Sequence, residues 1–223
     1  RYIIDDDEFS RLGRIVQYSA RVMGLQTSMV IRYGQPMDVF GNRVAADGHS
    51  RSPGGSIIDP IGYLSVDGTV SADPARDAEY TRQAGAAVAD SFLRESVILP
   101  THFLGWLLFE RERRLAPHLD LFALLRTTSG DRHNLTELCG DAERVRDILV
   151  SAENRGQLRL DPAIRQSPID EVLDDAVRTY GMYHLRSAVE YGDDAVIVRD
   201  PKTLFYYGNR LSAWDAMLRE GVA

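Results

Sequence analysis

The chain has 223 residues, 44% of them hydrophobic and 26% charged, which suits one large domain or two small ones. Its formal charge of −7 argues against a general nucleic-acid binder, which needs a basic face. No apolar run approaches the ~18 residues a bilayer span needs, and no basic start with an apolar centre marks a leader. The one cysteine, Cys139, excludes an internal disulfide and fits a reducing cytoplasm. Of the 26 cationic side chains all but Lys202 are arginine. Arginine grips phosphates and carboxylates bidentately, but a GC-rich genome that favours arginine codons everywhere is the better account of the bias.

The first predicted element is a helix over 7–23, capped by Asp5, Asp6 and Asp7, with Phe9, Leu12, Ile15, Val16, Ala20 and Met23 at helical spacing. Gly24 ends it, and residues 27–33 read as a short β-branched strand that stops at Gly34, with Pro36 beyond. A strand of that kind belongs to a larger sheet, yet only 26 residues precede it and the chain starts at Arg1. The expectation is the C-terminal part of something longer. Residues 34–60, rich in Gly, Pro, Asp and Ser, predict a long irregular excursion.

Tyr63–Val66 and Thr69–Val70 flank Asp67-Gly68 and predict a hairpin with a type I′ turn. Asp73-Pro74 starts a helix that runs to about Arg94, with Tyr80, Ala84, Ala87, Val88 and Phe92 on one side. Val97–Leu99 reads as a short buried strand, Thr101 as the cap of a helix to about Leu115, and Pro117 as the opening of another through Leu125. Residues 127–133 read as a polar linker. Beyond it come a helix over 142–154, a brief strand over 157–160, a helix over 168–180 capped by Ser167, a hairpin around Gly192-Asp193-Asp194, and a last helix begun by Asp200-Pro201. Helix, strand, helix, hairpin is the order of a winged-helix-like module.

Nucleotide-cradling glycine loops and the hydrolase elbow are absent, and one cysteine leaves no zinc pair. Cys139 reads as a small helix residue near a core and not as a nucleophile. Among five histidines, His49 and His133 fall in predicted loops, His118 beside Asp120 suits a local cap, and His184 suits a satisfied core position. His102 starts a helix at the end of an apolar strand, where α/β proteins place ligands, and a helix N-terminus keeps an imidazole neutral. Asp5–Glu8 and Asp193-Asp194 read as a helix start and a turn, so no metal site is expected. Phe103–Phe109, apolar nearly all round and followed by Arg111, Arg113 and Arg114, reads as a buried helix, with a membrane-surface helix as the alternative.

Three segments carry a family resemblance. Val30-Ile31-Arg32-Tyr33-Gly34-Gln35-Pro36 resembles the strand-Gly-x-Pro segment that closes the catalytic domain of glycerolipid acyltransferases. Asp73–Arg94 and Val97–His102 with the next helix are similar to the unit that follows it in the larger bacterial glycerol-3-phosphate acyltransferases. Leu204–Leu211, with Tyr206-Tyr207-Gly208-Asn209, is similar to that family's Tyr-Tyr-x-Asn segment. The resemblance implies the end of an acyltransferase-type α/β domain over 1–126, a linker over 127–133, and a winged-helix-like α+β accessory module over 134–223. It also implies acyl transfer from acyl-CoA or acyl-carrier protein to glycerol 3-phosphate in phospholipid synthesis, with no cofactor beyond the donor. Localisation would be cytoplasmic, with peripheral contact at the inner membrane face and no nucleic-acid partner.

The family's signature is His-x-x-x-x-Asp, in which the histidine acts as base and the aspartate orients it. The fifth residues after the five histidines are Gly54, Leu107, Ala123, Leu138 and Val189, and no Glu-Gly-x-Arg block is present. No catalytic residue therefore carries over, and the chain alone is expected to be inactive. Arg32 and His102 remain as substrate-side candidates. Two other readings compete: a stand-alone regulatory or protein-interaction module, and an independent enzyme pairing His102 with Asp77 or Glu79. Helix 168–180, with Asp170, Glu171, Asp174 and Asp175 against Arg178, repels DNA in the first of these.

Overall fold

A computed structural model describes residues 30–127, 130–184 and 186–222, so the predicted helix over 7–23 and the start of the predicted strand over 27–33 lie outside the described residues. The described chain mixes helices and strands and divides into two compact units.

The first unit is Val30–Ser96 with Gly156–Arg159. Val30–Tyr33 is not a strand: it finds no ladder partner among the described residues, and Tyr33 is 91% exposed. Within the segment expected to be irregular, β1 (Arg43–Val44), β2 (Ser50–Arg51) and β3 (Ile57–Ile58) form an antiparallel meander. Asp38 organises the entry to it. Its carboxylate accepts from the Phe40 and Asn42 N–H groups, the Asn42 amide and the Ser50 hydroxyl, and those bonds, working against burial, hold its pKa below the usual range.

After a 3-10 turn at Pro60–Leu64, β4 (Ser65–Val66) and β5 (Thr69–Val70) make the predicted hairpin. Asp67 and Gly68 have φ of 52° and 78°, the two left-handed residues a type I′ turn requires. Helix α1 (Pro74–Glu95) starts as expected, with Asp73 accepting from the Ala75 and Arg76 N–H groups. Tyr80 meets the stacked rings of Phe40 and Tyr63 edge-on, at 5.5 and 5.3 Å. Gly41 lies against Ala84 and Ala87, but the rest of the predicted apolar face is uncovered: α1 has no buried residue, and Phe92 is 73% exposed.

The second unit holds Val97–Arg155 and the described residues from Leu160. Strand β6 (Val97–Ile98) leads into α2 (Pro100–Leu115), whose cap is not Thr101. The N-cap is Leu99, which has no side-chain acceptor; instead His102 Nδ1 reaches back to accept the Leu99 N–H at 3.2 Å. Helix α3 (Leu121–Thr127) begins beyond Pro117, where Asp120 accepts from the Ala123 N–H. Residues 132–134, placed in the expected linker and at its edge, form strand β7 (Arg132–Asn134), and α4 (Leu135–Asn154) follows at once from an Asn134 cap.

Past β8 (Arg159–Leu160), α5 (Pro162–Gln166) is an additional short helix built on an Asp161-Pro162 start. Helix α6 (Ile169–Tyr183) opens after Pro168 without a side-chain cap, so Ser167 does not serve as one. Strands β9 (Val189–Gly192) and β10 (Ala195–Val198) form the second predicted hairpin, and β10 lies centrally in the antiparallel sheet β7-β10-β9 with all four residues buried. Asp200 caps α7 (Pro201–Gly208), and a 3-10 turn at Asn209–Trp214 separates it from α8 (Asp215–Arg219).

Helix α2 is the centre of this unit. Every residue from Phe103 to Glu110 is buried, and α4, α6 and α7 pack around it. The membrane-surface alternative for Phe103–Phe109 is thereby corrected: its apolar girth is core. The expected divide at 127–133 is corrected too. Residues on both sides of it share the core around α2, and the break between compact units falls at Ser96.

Candidate functional site

Two of the segments that carry the resemblance meet in the second unit. At the crossing of α2 and α7, a Cβ on Gly105 would lie 3.1 Å from the Gly208 nitrogen and 3.0 Å from the Leu204 carbonyl, and one on Gly208 would lie 2.8 Å from the Trp106 nitrogen. Backbone cannot give way as a side-chain tip can, so only glycines allow this approach. It brings Tyr207 to the first turn of α2, with its ring centroid 6.0 Å from that of His102.

Tyr180 on α6 and His184 just beyond it complete the cluster, each edge-on to Tyr207 at 5.2 and 5.7 Å. The Tyr180 hydroxyl donates to the Thr101 carbonyl at 2.6 Å, and His184 Nε2 lies 3.2 Å from the Tyr207 hydroxyl oxygen.

Burial holds two members of the cluster, His102 and Tyr180, in their neutral forms. Burial, and secondarily the Arg210 cation, push the His102 pKa down to about 4. Burial raises the Tyr180 phenol well above its usual value. His102 is thus neutral at neutral pH, as the sequence reading expected, but burial is the leading cause and not a helix dipole. With Nδ1 engaged by Leu99 and its ring beside Tyr207, His102 fixes the start of α2. Asp77 and Glu79, its proposed carboxylate partners, sit on α1 paired with Arg76 and Arg82.

Arg32, the other candidate, belongs to the first unit. Its guanidinium holds Glu95 through Nε at 2.9 Å and Nη2 at 2.7 Å, so its charge is already matched by a carboxylate. His49 and His118 are exposed in turns. His133 is the sequence reading's main misplacement. It is buried in β7, 2.7 Å from the Glu112 carboxylate of α2, and both side chains are 1% exposed. Burial raises the Glu112 pKa, opposed by the bond to His133.

A second polar group went unnoticed in the sequence. Asp141 on α4 binds Arg111, Arg114 and Arg144, while Arg111 also holds Glu137 at 2.7 Å. These residues line a cavity of about 500 Å3. Arg114 and Arg144 also donate to the Val222 and Gly221 carbonyls, one bond each, which ties residues 221–222 to α2 and α4. The signal available was Asp141 and Arg144 at i, i+3, and such pairs are common on solvated helices.

Among the described residues no group of three His, Cys, Asp or Glu side chains could hold a metal ion, and no helix is long and apolar enough to cross a membrane. Comparison with protein-family models, with curated proteins and with solved structures returned no match.

Proposed function

We propose that this chain is the C-terminal part of a glycerol-3-phosphate acyltransferase, which moves an acyl group from acyl-CoA or acyl-carrier protein to a hydroxyl of glycerol 3-phosphate in phospholipid synthesis. The observation that supports this reading is the meeting of two resemblance segments distant in sequence. The start of α2, Pro100–His102, and the Tyr206-Tyr207-Gly208-Asn209 segment pack together through Gly105, Gly208 and the His102–Tyr207 contact. In the chemistry proposed, the acceptor hydroxyl attacks the thioester carbonyl, the thiol leaves, and a base removes the hydroxyl proton. That base belongs to a His-x-x-x-x-Asp motif this sequence does not contain. The role left for His102, Tyr180, Tyr207 and the two glycines is to hold the start of α2 rigidly.

The finer architecture follows from the same reading. The chain then ends an acyltransferase-type α/β domain, and its elements from 134, in winged-helix-like order, pack with α2 in one unit and are not a separate module. The place of action is the cytoplasm, peripheral to the inner membrane face. A stand-alone protein-interaction module is the second reading, favoured by the β9–β10 hairpin that follows α6.

The test is an acyl-transfer assay with glycerol 3-phosphate and an acyl-CoA. The product of the whole reading frame that contains this chain is expected to be active. The 223-residue chain alone, and the whole product with this segment deleted, are expected to be inactive. Transfer by the chain alone, or a whole product without activity on either donor, overturns the proposal.

A further inference from the structure

Strands β1 and β2 of the first unit place two like charges opposite one another. Arg43 and Arg51 are direct partners in the antiparallel register, so their side chains leave the same face side by side. Like charges in that position destabilise a strand pair. One carboxylate relieves one of them: Asp47, in the turn between the strands, pairs with Arg51. Among the described residues the Arg43 side chain has no hydrogen bond or ion pair.

Beside the pair lies a cavity of about 480 Å3 whose walls include Arg43, Arg51, Asn42, Ser52, Pro53 and Gly55. No carboxylate lines it. The nearby Asp38 does not serve as counter-ion, because three donors of its own loop and the Ser50 hydroxyl of β2 already bind it. The Arg144-Asp141 cavity differs on each point, since its carboxylates and the 221–222 carbonyls already take up the guanidinium donors.

We propose that the cavity beside the Arg43–Arg51 pair is a binding site for a phosphorylated small molecule, with the phosphate held between the two guanidiniums. The Arg43 guanidinium, with the Arg51 donors that Asp47 leaves free, offers the charge-assisted bonds that phosphate oxygens accept. The anion removes the cross-strand repulsion, and the volume leaves room for an organic part against Pro53. The site does not rest on the acyltransferase reading and stands whichever activity the protein has.

Inorganic pyrophosphate is the probe. The full 223-residue chain is titrated at low salt, with amide chemical shifts to locate binding and calorimetry to measure it. Saturable shifts confined to Asn42–Ala45 and Arg51–Gly55 are expected, with affinity falling as salt rises. Arg43→Gln should weaken binding about tenfold, the loss of one charge-assisted pair of bonds, and Arg43→Lys should restore part of it. Arg43 is exposed and unpaired among the described residues, so its replacement leaves the fold intact, and Arg82→Gln on α1 should bind as the native chain does. Absence of saturable shifts, shifts centred on Arg111, Arg114 and Arg144, or unchanged affinity in Arg43→Gln overturns the proposal.

Discussion

At the scale of single residues, the energetics of the second unit turn on polar groups placed where water does not reach. His102 is the clearest case, because its job as backbone acceptor for Leu99 requires the neutral ring. Its pKa of about 4 in the folded chain lies below the ordinary value of 6.5. Between those values the unfolded chain binds a proton that the folded chain refuses, so stability is whole above pH 6.5 and is lost as pH falls toward 4. The loss is on the order of 3 kcal/mol for such a shift. Urea unfolding from pH 7.5 to 4 should show this decline in the native chain and a flatter profile in His102→Asn. Parallel profiles would remove His102 as the source. The same logic explains why His133 escaped the sequence reading. Its partner Glu112 stands 21 residues away, on another element, and Arg132 and Asn134 on either side look like loop because they face solvent.

At the scale of elements, boundaries were legible wherever a cap is local. Asp73-Pro74 and Asp200-Pro201 open helices as the sequence predicts, because the aspartate and the N–H groups it receives are two or three residues apart. Asp67-Gly68 fixes its hairpin for the same reason. The start of α2 was misread because a histidine, reaching back from the third helical position, replaces the expected threonine cap. Val30–Tyr33 was misread because β-branched composition describes a strand only when another strand pairs with it. The Gly105–Gly208 crossing was not legible at all, since neither glycine signals its partner about a hundred residues away. A local cap predicts a local effect. Asp200→Ala removes acceptors for the Lys202 and Thr203 N–H groups and should lower stability by about 1 kcal/mol. In amide hydrogen exchange the lost protection should concentrate in the first turn of α7; uniform loss across the unit would contradict a capping role.

At the scale of the whole molecule, the two units differ in what holds them together. Between Val30 and Ser96 no hydrophobic residue is buried, and Val30, Ile31, Ile57, Ile61, Val66, Val70, Val88 and Phe92 are all exposed. Their sequence patterning could not reveal this, because periodicity marks a face as apolar without saying whether anything covers it. The first unit therefore depends on the Phe40–Tyr63–Tyr80 rings, the Asp38 network and short strand pairs, while the second has the core around α2. Hydrophobic burial is the dominant favourable term in folding, so the first unit should open at lower denaturant, as a separate cooperative step. The chain supplies its own reporters. Both tryptophans, Trp106 and Trp214, belong to the second unit, whereas far-UV ellipticity also registers α1 in the first. In urea, ellipticity should begin to fall before tryptophan fluorescence changes, and partial proteolysis in that window should cut within 30–96 and spare the fold from Val97 onward. Coincident transitions by both probes would mean that the exposed apolar residues of the first unit do not limit its stability, and that the two units unfold as one.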